Sequence, residues 1–228
     1  MNTPLFPEVI FPVPFDWIKD EQDMVWKPQQ ELLNERYHLA QSHHLIVGLP
    51  MGNHPGAFGV QRTHHIHEGI DLYVPYQTPV QAVCDGVIRR IEWFTGEKAQ
   101  SPWWRDTQAI LIEDQHGGFN YGEITVNACW KVGQHVKQGD ILGWVIPVLR
   151  HQKQRPIHML HLERYLRGSN ESVSWPIAQP QPSYLLDPTP AWLQTQKNRA
   201  SLLTLFCQKI KRQGSVLIFL HQPVKITR

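Results

Sequence analysis

The chain has 228 residues, of which 41% are hydrophobic and 18% charged, with a formal net charge of +2. That length suits one generous domain with appendages, and the composition excludes an intrinsically disordered protein. No run approaches the roughly 20 apolar residues of a membrane span. Three widely separated cysteines, odd in number, make neither a disulfide framework nor a thiolate zinc knuckle.

The first 27 residues are rich in proline and aromatics without a helical period, which predicts an extended arm. They lack the basic start of a signal peptide. The chain as written therefore reads as cytoplasmic, or as periplasmic or extracellular if an export signal precedes it. Residues 29–43 carry Leu32, Leu33, Tyr37, Leu39 and Ala40 near a helical spacing behind Pro28, and predict a short amphipathic helix. After residue 45 the apolar residues become β-branched or aromatic and come in short runs. Turn signals separate them at Asp85-Gly86, Gly117-Gly118, Gly133-Gln134 and Gly139-Asp140. Strands are predicted over 69–74, 79–84, 86–93, 109–113, 120–126, 135–136, 141–146 and 158–164. So many short strands imply a mainly β, antiparallel sandwich or barrel.

Residues 166–190 read as a proline-rich connector with little structure of its own. A helix is predicted over 191–212 and a short apolar strand over 215–220. From residue 197 onward there are seven Lys or Arg and no acid, which leaves the first 196 residues at −5. Lys209, Lys211 and Arg212 read as favourable cations at a helix C-terminus, and no nucleic-acid partner is expected. The resulting plan is an arm and helix over 1–45, a β domain over 46–193 and a basic helix-strand extension over 194–228.

Thirteen histidines and nine tryptophans are the compositional excesses. The P-loop, dinucleotide, nucleophile-elbow, helix-borne zinc and CxxC motifs are all absent. His67 and Asp71 stand four apart around Gly69, in a segment whose Ile-Asp-Leu-Tyr-Val run argues for a strand. Fully extended, they would lie about 13 Å apart at ~3.3 Å per residue, too far for one metal. The chain is therefore expected to bend at the glycine, bringing together an imidazole and a carboxylate suited to Zn²⁺. Alone, this pattern reads first as a histidine-rich surface loop. A second stretch, PIHMLHLERY over 156–165, shifts the reading: strand alternation puts Met159, His161 and Glu163 on one face.

Together these segments resemble the lysostaphin-like zinc metallopeptidases, which cut peptide cross-bridges in bacterial cell walls. The resemblance runs from about residue 59 to 193. HxGxD is met by His67-Glu68-Gly69-Ile70-Asp71, and the following GTPV segment by QTPVQAVCDGVI over 77–88. YGEI over 121–124, VGQHVKQGDILG over 132–143, MLHLE over 159–163 and Asp187-Pro188 follow in the family's order. The resemblance implies a β-sandwich of the duplicated hybrid type and one zinc ion bound by His67, Asp71 and His161.

It also exposes two departures. The family's catalytic imidazoles fall at positions 123 and 159, where this chain has Glu123 and Met159. A thioether is at best a weak acceptor, whereas a carboxylate beside zinc can serve as general base for an attacking water. His158 would substitute only if a bulge turned it toward His161. His64 and His65 read as exposed or outer histidines. Arg62 is a candidate for an anionic group at the groove rim, or a surface ion pair. Trp103 and Trp104 sit in an insertion over 95–108, as a lid or sugar platform or as packing residues.

Two functional readings follow. One is a zinc-dependent hydrolase acting on peptide or peptidoglycan fragments, with Glu123 activating water. The other is a catalytically silent metal-binding or regulatory module with a protein partner. A third, a biotinyl- or lipoyl-carrier module suggested by 132–143, lacks the modifiable lysine motif.

Overall fold

The computed structural model describes residues 9–13, 15–19, 24–28, 50, 52–74, 76–151, 158–169 and 171–192. The helix expected over 29–43, the strand over 215–220 and all but the first two residues of the helix over 191–212 lie outside them. Two strands of the N-terminal arm, β1 (Phe15–Lys19) and β2 (Met24–Pro28), pair antiparallel as a small separate sheet. No helix among the described residues is long and apolar enough to cross a membrane.

The remaining strands are β3 (Ile70–Tyr73), β4 (Pro79–Gln81), β5 (Gly86–Thr95), β6 (Thr107–Asp114), β7 (Gly117–Val126), β8 (His135–Val136), β9 (Ile141–Val145), β10 (Met159–Tyr165) and β11 (Leu185–Leu186). All pair antiparallel in one nine-stranded open sheet whose main path runs β11-β10-β7-β6-β5-β8. It branches twice, because β10 also pairs with β3 and β7 also pairs with β9, which carries β4. The mainly β, antiparallel architecture expected from the sequence is the observed one.

Alternation decides what each strand buries. Ile110 and Ile112 of β6 enter the main core, together with Ile70, Leu72, Val80, Ile88, Tyr121, Leu142, Leu160 and Leu162. Leu111, between them, faces the other way into a smaller cluster with Tyr165, Trp175 and Leu185. β6 is thus apolar on both faces, which explains its unbroken Ala-Ile-Leu-Ile run. In β10, Leu160 and Leu162 enter the main core, so His161 and Glu163 are presented on the opposite side of the sheet.

Two segments that the sequence pattern leaves outside the sheet help to hold it. Residues 9–13 lie along β4: Ile10 N–H donates to Val83 O at 2.9 Å and Gln81 N–H to Pro12 O at 2.8 Å. Val9, Phe11 and Val13 are buried there, and the Phe11 ring meets Trp192 edge-on at 5.9 Å. The connector is likewise more than a linker, contributing β11 and the buried Trp175.

Phe11→Ala should cost about 3 kcal/mol or more, the usual cost of emptying a buried phenylalanine site. Urea unfolding followed by tryptophan fluorescence will show it as a lower midpoint. An unchanged midpoint would mean that residues 9–13 do not hold the core.

Candidate metal centre

Three side chains converge where β3 and β10 pair. Asp71 stands directly opposite His161 in that register, so their side chains meet on one face. Asp71 Oδ1 lies 2.9 Å from His161 Nδ1 and 3.1 Å from His67 Nε2, and the two ring nitrogens are 3.3 Å apart. All three residues are buried. His67 precedes β3 and joins the pair by the bend at Gly69. The physical demand on Gly69 is space rather than a left-handed backbone. A Cβ there would stand 2.5 Å from Leu162 O and 3.0 Å from His161 Cε1. Only glycine lets the His67 segment pass so close to β10.

Each donor is oriented by a partner on its far side. His67 Nδ1 meets the Ala57 carbonyl at 2.8 Å, which accepts its N–H and leaves Nε2 with a free lone pair. His161 Nε2 lies 3.2 Å from Glu163 Oε1, which leaves Nδ1 for the cluster. Arg62 pairs with Asp71 Oδ2 and also donates to Pro55 O, so Oδ1 is the oxygen turned inward. Behind His161, Glu163 is fully enclosed and accepts from Asn120 Nδ2 at 2.6 Å and from Ser172 Oγ at 2.9 Å. On its other flank β10 faces Gly122, over which the Phe94 ring packs, 5.6 Å from the His161 ring.

This donor set fits zinc. A tetrahedral ion with bonds of about 2.0–2.1 Å holds its donors roughly 3.3 Å apart, close to the three separations here. Among the described residues it is the one His/Cys/Asp/Glu group with donor atoms so gathered. Its electrostatics point the same way. Burial works against charge on both, yet His67 and His161 hold Asp71 well below the usual carboxylate range, and Asp71 and Glu163 hold His161 well above the usual imidazole range. A divalent ion would take over the balancing role of the ring protons.

Glu123 stands outside the triangle but beside it. β7 bulges against β6 between Tyr121 and Ile124, and Glu123 occupies the bulge with φ at +64°. For a residue with a Cβ this conformation costs on the order of 1–3 kcal/mol and re-aims the side chain. Its Oε2 is buried with no hydrogen-bond partner. Burial, then the negative charge of Asp71, push its carboxyl up to about 8.

Residues 65–173 match the profile of peptidase family M23. That stretch is similar to M23 peptidase domains. No curated protein sequence matches the chain significantly. Solved structures with a similar chain course include the antimicrobial peptidase lysostaphin from Staphylococcus simulans, at 23% identity and a TM-score of 0.42, covering 61% of this chain and 48% of that one. The chain thus spans about half the length of that structure. The catalytic domain of the same peptidase is 22% identical with a TM-score of 0.43, covering 66% of this chain and 95% of the other. The catalytic domain of a prophage-encoded M23 protein from Enterococcus faecalis is 19% identical with a TM-score of 0.39, covering 59% and 98%.

The other candidates are placed as follows. Met159 is half-buried at the start of β10. His158 does not join the donor cluster; it bridges to Pro147 and its ring lies 5.9 Å from that of Tyr76. His64 is exposed, and His65 pairs with Glu68 at 3.6 Å. Arg62 is partly exposed and its guanidinium is engaged by the buried carboxylate of Asp71. Trp103 is 66% exposed, while Trp104 bridges to Leu149 and fastens the insertion to residues 148–150. Sequence reasoning missed Ala57, Phe94, Asn120 and Ser172. Only Asn120, opposite Glu163 in a strand register, left a trace that pattern alone could have exposed.

Two outcomes follow from this geometry. Gly69→Ala should destabilise the domain by about 1–3 kcal/mol, as overpacking does, and loosen the Asp71–His161 pair. Urea unfolding and metal retention after desalting will register both, and a variant equal to wild type in each would refute the close approach. In metal-free protein, Glu123 takes up its proton more tightly when folded, its ordinary value being 4.5. Its contribution to stability therefore falls as pH rises from about 4.5 toward 8. Glu123→Gln should flatten that part of the stability–pH curve, and an unchanged slope in chelator would remove Glu123 from the buried charge cluster.

Proposed function

We propose that the domain is a zinc-dependent peptide hydrolase in which His67, Asp71 and His161 hold the ion and Glu123 exchanges the reaction's proton. The observation that carries this reading is the spacing of the three donors, each with its remaining polar atom already engaged. Bound zinc supplies Lewis acidity, polarising a scissile carbonyl and acidifying water. The protein's own residues do the rest. Asp71 and the two imidazoles present fixed lone pairs, and Phe94 covers one side of His161. A carboxyl that holds its proton to about 8 can give and take it near neutral pH, where general acid–base catalysis is effective. The match of residues 65–173 to peptidase family M23 supports a peptide substrate, and the resemblance to cell-wall peptidases makes peptidoglycan peptides the ones to try first.

Met159 favours a second reading, a metal-binding module without catalysis, because a thioether cannot donate to the oxyanion of a carbonyl under attack. The two readings separate in one series. Elemental mass spectrometry after zinc loading and desalting should find about one ion per chain, lost in His161→Ala and kept in Met159→Ala. Chelator-sensitive hydrolysis of peptidoglycan fragments should then fall about 100-fold or more in Glu123→Gln, with zinc still bound. Equal zinc in wild type and His161→Ala would sink the ligand assignment. A zinc-loaded wild type that cleaves nothing would leave the binding module.

A further inference from the structure

The proline-rich connector, expected to have little structure, ties down both segments that carry the imidazoles. On the His67 side, Ile66 N–H donates to Trp175 O at 2.8 Å and Trp175 N–H donates to Glu68 Oε1 at 2.8 Å. The Trp175 ring packs on Phe58 at 5.7 Å and is almost fully buried. On the β10 side, Val173 N–H donates to Tyr165 Oη at 3.1 Å, and Ser172 Oγ lies 2.9 Å from each oxygen of Glu163. The M23 match ends at residue 173, inside this stretch.

We propose that residues 172–175 form a positioning clamp for the metal centre, in which Ser172 fixes the Glu163 carboxylate that orients His161. The inference rests on the reading of His161 as a metal ligand. A carboxylate terminus turns easily about its last bond. Here Asn120 holds Oε2 and the Ser172 hydroxyl straddles both oxygens, so the carboxylate plane has one orientation. That orientation sets Oε1 against His161 Nε2, which donates its proton outward and leaves Nδ1 turned to Asp71 and His67. Without the acceptor, the ring could rotate and present carbon or the wrong nitrogen. The serine touches neither metal nor substrate. It acts through Glu163, as outer partners of metal-bound imidazoles generally do.

The test uses the full chain and zinc alone, in competition with a chromophoric chelator. Ser172→Ala should weaken zinc binding about tenfold and Glu163→Gln by up to about 100-fold, the range for lost outer partners. Glutamine cannot accept from both His161 and Asn120, since one of them must face its amide N–H₂. The second readout is nitrogen-15 NMR of the histidine rings. The His161 Nε2–H signal should shift and exchange faster in both variants, while the His67 Nδ1–H signal, bonded to Ala57 O, should stay. Wild-type zinc affinity in Ser172→Ala would overturn the proposal. So would weaker binding with an unchanged His161 signal, which would mark a purely structural serine. If the wild type retains no zinc, the ligand reading fails on its own. The clamp is then read from His161 Nε2–H exchange in metal-free protein, where equal rates in wild type and Ser172→Ala overturn it.

Discussion

The antiparallel register that sets Asp71 opposite His161 is the constraint on which the rest of the centre depends. It fixes a carboxylate against an imidazole without any long loop, using only the pleat of two paired strands. Two glycines make it physically possible. Gly69 lets the His67 segment cross over β10, and Gly122, on the other flank of His161, leaves room for the Phe94 ring. A one-residue slip of β10 would put Leu160 or Leu162 against Asp71 and turn His161 into the main core. The apolar face of β10 opposes that slip, because both leucines are fully buried where they stand.

Around this register the structure gathers a dense set of buried charges, and their protonation is driven apart. Burial opposes ionisation of every carboxyl, yet the paired imidazoles and hydrogen bonds keep Asp71 and Glu163 below the usual range. Glu123, whose Oε2 has no hydrogen-bond partner, is pushed the other way, to about 8, by burial and then by the negative charge of Asp71. Carboxyls whose environments separate them in this manner are suited to different tasks, one set to hold positive charge and the other to carry a proton. Arg62 belongs to the same balance. By engaging Asp71 Oδ2 it offsets part of the acid excess and leaves one oxygen, Oδ1, turned toward the two imidazoles.

How much of this was legible in the sequence depends on the range of each interaction. The eight strands predicted between residues 69 and 164 each have an observed counterpart, because alternation and Asp-Gly or Gly-Gly turns are local signals. The HxGxD spacing and the second histidine in a strand pointed to the three donors that the fold brings together. The reason given for Gly69 was incomplete. A bend is the local expectation, but the actual demand is the backbone of Leu162, 93 residues distant in sequence, passing close by. Ser172 and Trp175 were invisible for the same reason. Nothing in a proline-rich run announces that its serine will meet a glutamate on β10. Residues 9–13 likewise read only as part of an extended arm, and they run along β4.

The backbone at Glu123 bears on how a carboxyl comes to be aimed from this position. A bulge already turns this side chain off the regular pleat, and the left-handed φ is a cost that most residues would avoid. The strain persists because β7 is pinned on both sides of the bulge, by Tyr121 opposite Ile110 and by Ile124 opposite Gln108 and Val145. The glutamate therefore inherits an aim set by its neighbours and not by its own preference. From that position a carboxyl differs from an imidazole in one decisive respect. Ionised, it only accepts hydrogen bonds; protonated, it donates one through a single oxygen. A proton held to about 8 gives Glu123 both states within the neutral range, whereas Met159 contributes neither donor nor strong acceptor. Of the two residues, only Glu123 can therefore both give and take a proton, and the proposed hydrolase reading rests on it.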